Sequence, residues 1–329
     1  MILASILLGW LACGITCLAA GLAAVRAFRL DLNRAEALCL GFALGAALTS
    51  TLSLALAFLF AARAGVFLGL AALAAALLWR QLPWLRSLKP ADWRSIPAAF
   101  RYLVAVVWAA YGGLYLLHAM EPAIAPDTYH LGFVNQWNLA HGMTRIVDCY
   151  AALPQGLEML YLFAFSIGRD SGAVLVHYLF LMALPAAMLL YGVRFGIGRG
   201  GAAFAAIVVF VTPTVGWDGS IAYNDVALAL AVLTTLYLFQ IWRSGRSAGV
   251  LAAAGLMAGY CIAIKYTGAL ALIPLFAAAL WDLRRDLRAA ARAFLILTAA
   301  AAAFPAPYLV RNWLWYGNPI AFFGNAIFP

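Results

Sequence analysis

Charge is scarce in this sequence. Only 10% of its 329 residues are Asp, Glu, Lys or Arg, 67% are apolar, and the mean hydropathy is +0.95. A soluble domain carries about 25% charged residues, so the shortage excludes a water-facing globular surface and leaves a membrane as the solvent. Sustained alternation of apolar and polar residues is missing as well. Without it a spanning β-barrel is excluded, because barrel strands of about ten residues alternate, whereas segment 35–62 shows no such period. The five cysteines have no framework: Cys13, Cys17, Cys39 and Cys261 lie in apolar runs and only Cys149 lies in a polar stretch, so neither a disulfide scaffold nor a zinc-like spacing is present. There is no phosphate loop, no Gly-rich dinucleotide fingerprint, no His-Glu-x-x-His and no serine elbow, which removes the soluble-enzyme classes those motifs mark. The N-terminal run lacks a basic leader region and outlasts a signal-peptide core, so it reads as a retained span.

What the sequence does have is repeated apolar runs of the length a helix needs to cross hydrocarbon. The expected fold is all-α, a polytopic transmembrane helical bundle of about ten spans, near 2–25, 36–62, 65–79, 102–120, 172–192, 201–216, 223–242, 247–264, 267–281 and 293–310. With the N-terminus outside, alternation places all but five of the 21 Lys and Arg in inner loops. Arg63, Arg145, Arg169, Lys265 and Arg311 remain outside, together with Glu121, Asp127, Asp148, Glu158, Asp170, Asp218 and Asp225. This is the positive-inside pattern, and it explains the net charge of +9 as topology and not nucleic-acid binding. Segment 156–167 is apolar but too short to span, and counting it would reverse every later loop. It is expected to lie along the outer interface with Glu158 on its wetter side, within a long outer loop from about 121 to 171 that carries juxtamembrane helices. The chain divides into an N-terminal three-span segment with a basic cytoplasmic loop, 1–101, and a second module, 102–329, which looks like the earlier part of a longer protein.

Four clusters can carry chemistry. In Pro126-Asp-Thr-Tyr-His130, Asp127 suits a helix N-cap; if a helix follows, Asp127, His130, Asn138 and His141 share one arc while Tyr129 and Phe133 point elsewhere. An acid just outside a span is a general-base candidate as well as a cap. In Trp217-Asp-Gly-Ser-Ile-Ala-Tyr-Asn-Asp225, Asp225 opens an apolar run, either capping it or facing a wet cavity, and Asp218 reads as a turn residue. Lys265 sits between two apolar runs, where a lysine either snorkels to the interface or pairs with a phosphate. Arg311 stands in an aromatic belt with Trp313, Trp315 and Tyr316, as an anchor or an anion clamp. His118 and His177, lone histidines in spans, read as packed or hydrogen-bonded groups, and Gly41-x-x-x-Gly45 reads as a helix-packing motif.

In their order these segments resemble a known group. Pro126-Asp-Thr-Tyr-His-Leu131, Leu153-Pro-Gln-Gly-Leu-Glu-Met-Leu-Tyr161, Ala222-Tyr-Asn-Asp-Val-Ala-Leu228, Gly255-x-x-x-Gly259 before Lys265-Tyr-Thr-Gly268, and Arg311-Asn-Trp313 with Gly317-Asn-Pro319 are similar to bacterial GT-C glycosyltransferases of the protein O-mannosyltransferase and aminoarabinose-transferase type, over about 100–329. The resemblance implies a sugar donor on a polyprenyl phosphate, inverting transfer to a lipid, glycan or protein acceptor, and a loop acid, here Asp127, as catalytic base. It implies a bacterial inner-membrane protein with an extracytoplasmic site amid membrane lipids. Lys265 and Arg311 are then expected to serve the donor phosphate, and His130, Asp225 and Glu158 an acceptor or metal site. A divalent cation between Asp127 and Asp225 is the one cofactor the acids suggest, although Asp127 is followed by Thr-Tyr-His and not by a second acid. Two other classes stay open. A transporter or lipid flippase would place ionisable groups near the midplane of several spans, whereas these collect at outer ends; a noncatalytic envelope assembly protein would need none of them.

Overall fold

The computed structural model describes residues 2–121, 129–196, 198–321 and 323–328, and among them the regular structure is helical throughout, with no strand. The helices are α1 (Ile2–Ala27), α2 (Arg34–Phe58), α3 (Ala64–Ser87), α4 (Ala98–Met120), α5 (Tyr129–Ala140), α6 (Gly156–Phe195), α7 (Arg199–Val211), α8 (Pro213–Gly219), α9 (Asp225–Gly245), α10 (Ala248–Ile264), α11 (Leu272–Asp282), α12 (Leu287–Ala303) and α13 (Ala306–Tyr316). Short 3₁₀ turns sit at Trp93–Ser95, Cys149–Ala152 and Tyr266–Ala271.

All ten expected spans are helical, but they are not equal. Six helices (α1, α2, α3, α4, α6 and α9) are long and apolar enough to cross a membrane alone, and two bent pairs, α7/α8 at 65° and α12/α13 at 55°, bring the number to eight. The remaining two, α10 and the helix Tyr266–Asp282, are apolar but shorter. The bends have a covalent cause: Pro213 opens α8 and Pro305 precedes α13, and proline ends a helix because it lacks the N–H and disfavours helical geometry in the residue before it.

The centre of the bundle is α1, α2 and α6. α2 starts with a capping box: Asn33 Oδ1 accepts the Glu36 N–H at 3.0 Å, and the Glu36 carboxylate accepts the Asn33 N–H at 2.8 Å. Glu36 also accepts from Arg194 Nη1 and Tyr237 Oη, each at 2.6 Å, which ties α2, α6 and α9 together at a buried point. α1 meets α2 through glycine. A Cβ on Gly21 would lie 1.6 Å from Gly41 O, and one on Gly45 1.6 Å from Cys17 O, so the Gly41–Gly45 motif is a packing device, as its spacing suggests.

Segment 156–167 differs from expectation. It is the first part of α6, which breaks at Arg169 (φ 57°, ψ −153°), and Leu157 to Phe165 are all buried, Glu158 among them. A helix that is apolar on every face belongs in a core and not along an interface, and here α1 and α5 cover it.

Candidate functional site

A cavity of about 660 Å³ opens where α5, the Asp148–Tyr150 turn, the N-terminus of α9 and Lys265 converge. Four sequence segments far apart in the chain must meet to form it, and each is held by an identifiable contact. Gly156 lets the start of α6 touch the end of α10: a Cβ there would lie 2.6 Å from Ala263 O, and Ser50 Oγ donates to Gly156 O at 2.5 Å. This approach brings Lys265, the residue just after α10, toward the segment that carries Glu158. The far end of α5 is tied to the α2–α3 turn by backbone bonds, Met143 N–H to Ala57 O at 2.9 Å and Ala62 N–H to His141 O at 3.0 Å.

His130 and Glu158 form the buried floor. Nδ1 of His130 donates to Glu158 Oε1 at 2.6 Å, the residues are only 4% and 0% exposed, and Glu158 Oε2 has no hydrogen-bond partner among the described residues. Tyr129 packs on the imidazole at 4.0 Å and stacks on Tyr150 at 4.6 Å with an interplanar angle of 5°, while Tyr223 lies 5.4 Å from His130. Burial pushes the Tyr129 phenol well above its ordinary pKa, and the carboxylates of Glu158 and Asp225 add to the shift. Tyr129 therefore remains an O–H donor at any physiological pH.

Asp225 and Lys265 form the more open wall, Oδ1 to Nζ at 2.7 Å, both partly exposed. Asp225 is free for this pairing because other groups cap α9. Asp218 Oδ2 accepts the Val226 N–H at 3.0 Å, and His177 Nε2 accepts the Ala227 N–H at 3.3 Å while its Nδ1–H donates to Ile221 O at 2.9 Å. Asp218 is thus a cap acting across a loop and not a simple turn residue, and His177 has the packed, hydrogen-bonded role its position suggests. His118 is likewise bonded, to Ser220 Oγ at 2.7 Å.

The expected site residues divide accordingly. His130, Asp225 and Lys265 line the cavity, and Glu158 backs it, buried and not on a wet helix face. Arg311 is elsewhere: it is 2% exposed, donates to Leu153 O at 2.9 Å and to Asn312 Oδ1, lies between the rings of Tyr308 and Trp315, and is not part of the cavity lining. Asn312 reinforces it by donating to Ala152 O at 2.7 Å. This pair holds the 148–155 turn, whose Asp148 and Tyr150 face the cavity, so its place behind the turn follows from backbone carbonyls that need donors once buried. Asp127 lies outside the described residues, as does the proposed N-cap. The expected polar arc of α5 is narrower than its periodicity suggests: His141 lies past the helix end at φ 56°, whereas Tyr129 and Phe133 line the cavity with His130 instead of facing away from it. Sequence reading also missed Gln136, Asp148, Tyr150, Tyr223 and Asn224; the signal available was the density of Tyr, Asn and Asp in the two polar stretches that hold the last four. Among the described residues no group of three or more His, Cys, Asp or Glu is placed to hold a metal ion.

Comparison with known proteins finds no match among curated proteins and none among solved structures. A family model does match. Residues 156–310, which include Glu158, Asp225 and Lys265, match the dolichyl-phosphate-mannose-protein mannosyltransferase family, a match that supports a membrane glycosyltransferase of the GT-C type.

Proposed function

We propose that the protein transfers a sugar from a polyprenyl-phosphate donor to an acceptor at the extracytoplasmic face of a bacterial inner membrane, with inversion at the anomeric carbon. The observation that carries this reading is the cavity itself, in which one lysine, held by an acid, and a buried His–Glu pair meet at the ends of apolar helices, most of them within the matched region. An isoprenoid tail can stay in hydrocarbon while its phosphate and sugar reach such a site. The acceptor oxygen forms a bond to the anomeric carbon as the bond from that carbon to the phosphate oxygen breaks. The bonding electron pair leaves on the polyprenyl phosphate, and the acceptor proton passes to a carboxylate.

Asp127, two residues before Tyr129 in the chain, is assigned that proton. Lys265 stabilises the charge that grows on the departing phosphate, exchanging its contact with Asp225 for one with the phosphate. Arg311, also expected at the phosphate, supports the site through the 148–155 turn. The test is direct: the purified protein in lipid nanodiscs is incubated with a panel of polyprenyl-phosphate sugars, and release of polyprenyl phosphate is followed. Turnover of at least one donor is expected; a correctly folded protein that releases polyprenyl phosphate from none of them, with or without acceptors, overturns the reading.

A further inference from the structure

The His130–Glu158 pair is more elaborate than packing requires. A carboxylate taken out of water is costly, and here one of its oxygens is left without a partner among the described residues. Such an arrangement persists when it orients something else. Because the Glu158 carboxylate accepts at Nδ1, the Nδ1 proton is fixed there and the neutral ring presents Nε2 as a lone pair. Nε2 has no protein partner among the described residues, and His130 is part of the cavity lining. A lone pair in that position calls for a ligand that donates a proton.

The surroundings narrow the ligand. Tyr150, stacked on Tyr129 and 47% exposed, supplies an aromatic surface to the cavity, and Gln136, Asn224 and Asp148 line the same cavity. Aromatic rings for C–H faces with amides and carboxylates for hydroxyls are the chemistry that holds a sugar ring. An aliphatic amine is disfavoured, since as an ammonium it lacks the lone pair that must attack carbon.

We propose that His130, oriented by Glu158, forms the acceptor subsite, and that the acceptor is a carbohydrate hydroxyl whose O–H donates to Nε2. This rests on the transfer reading above and extends it: His130 positions the acceptor oxygen, and the acceptor proton leaves through Nε2 on its way to the carboxylate assigned above. Glu158 acts through His130 and is a positioning residue.

Two variants test it. Glu158→Gln retains shape, but its amide N–H can donate to Nδ1, which moves the ring proton to Nε2 and turns the acceptor atom into a donor. His130→Gln removes the imidazole but keeps a polar side chain. Each is compared with wild type using the donor that turns over, with octyl glycosides as carbohydrate probes and a Ser/Thr-containing peptide as the protein probe, measuring both transfer and donor hydrolysis. Wild type is expected to glycosylate an octyl glycoside, and both variants to lose roughly 10- to 100-fold in kcat/KM for that probe, the size of one hydrogen bond to a charge-assisted group, with product partitioning toward hydrolysis. A merely structural defect lowers transfer and hydrolysis together and leaves their ratio unchanged, which overturns the proposal, as does glycosylation of the peptide alone. A wild type that neither transfers nor hydrolyses any donor defeats instead the glycosyltransfer reading beneath it.

Discussion

At the scale of single residues, the proposed catalytic base is Asp127, the acid to which the resemblance points. Among the described acids at the cavity, Asp225 pairs with Lys265, Asp148 accepts the Tyr150 N–H at 2.7 Å, and Glu158 is bound to His130. Asp127→Asn keeps the shape and capping ability of the side chain and removes its capacity to take a proton at neutral pH. The expected outcome is normal expression and donor binding with transfer reduced at least about a hundredfold. Single-turnover transfer with prebound donor measures this, and near-wild-type turnover would return Asp127 to a helix cap and bring Asp225 forward. Residue types were legible from the sequence: Asp127, His130, Glu158, Asp225 and Lys265 stand out because acids, bases and histidines are rare in so apolar a chain. Their partners were not, and Arg311 shows the consequence. An arginine in an aromatic belt suits a phosphate clamp and a turn support equally well, and only its bond to Leu153 O, across 158 positions, separates the two.

At the scale of helices, the close approach of α1 and α2 decides stability. A Cβ on Gly45 meets the Cys17 carbonyl oxygen, which is backbone and cannot swing aside as a side chain would. Gly45→Ala is therefore expected to destabilise the protein by about 2 kcal/mol or more, by forcing the helices apart. Gly69 in α3 is the control, because a Cβ there meets nothing within 4 Å, and Gly69→Ala should be neutral or slightly stabilising through helix propensity. Thermal unfolding in detergent, followed by loss of the monodisperse peak, compares the two; equal midpoints would remove the close-packing account. Helix existence was legible from run length, while helix ends and breaks were less so. Pro213 and Pro305 announce two bends, but the break at Arg169 follows Gly168 with no proline nearby, and the burial of the segment before it depends on which helices pack around it.

For the molecule as a whole, every functional statement requires the cavity to open on one side of the membrane. Cys149 is exposed beside that cavity, Cys13, Cys17 and Cys261 are buried, and Cys39 is partly buried against Ala183 O. In a variant whose other four cysteines are replaced, an impermeant maleimide applied to intact cells is expected to label Cys149. Labelling that appears only after permeabilisation would invert the topology and, with it, the extracytoplasmic placement of the site. The distribution of Lys and Arg supports the outward orientation, because the basic loops fall on alternate connections, and it does so through charge counts alone.

The sequence by itself determined the solvent, the all-helical architecture, the order of the apolar segments and the short set of residues able to do chemistry. These depend on composition and run length, which act locally: an apolar run of about 20 residues has few stable alternatives to a helix in hydrocarbon. Tertiary structure alone decided that His130 meets Glu158 across 28 positions, that Asp225 meets Lys265 across 40, and that Arg311 braces a turn while Asp218 and His177 cap α9. Those pairings join segments far apart in the chain, and they depend on how closely the backbones approach. Glycines at 21, 45 and 156 set that approach through the carbonyl each one faces, and neither periodicity nor charge along the chain encodes which carbonyl that is.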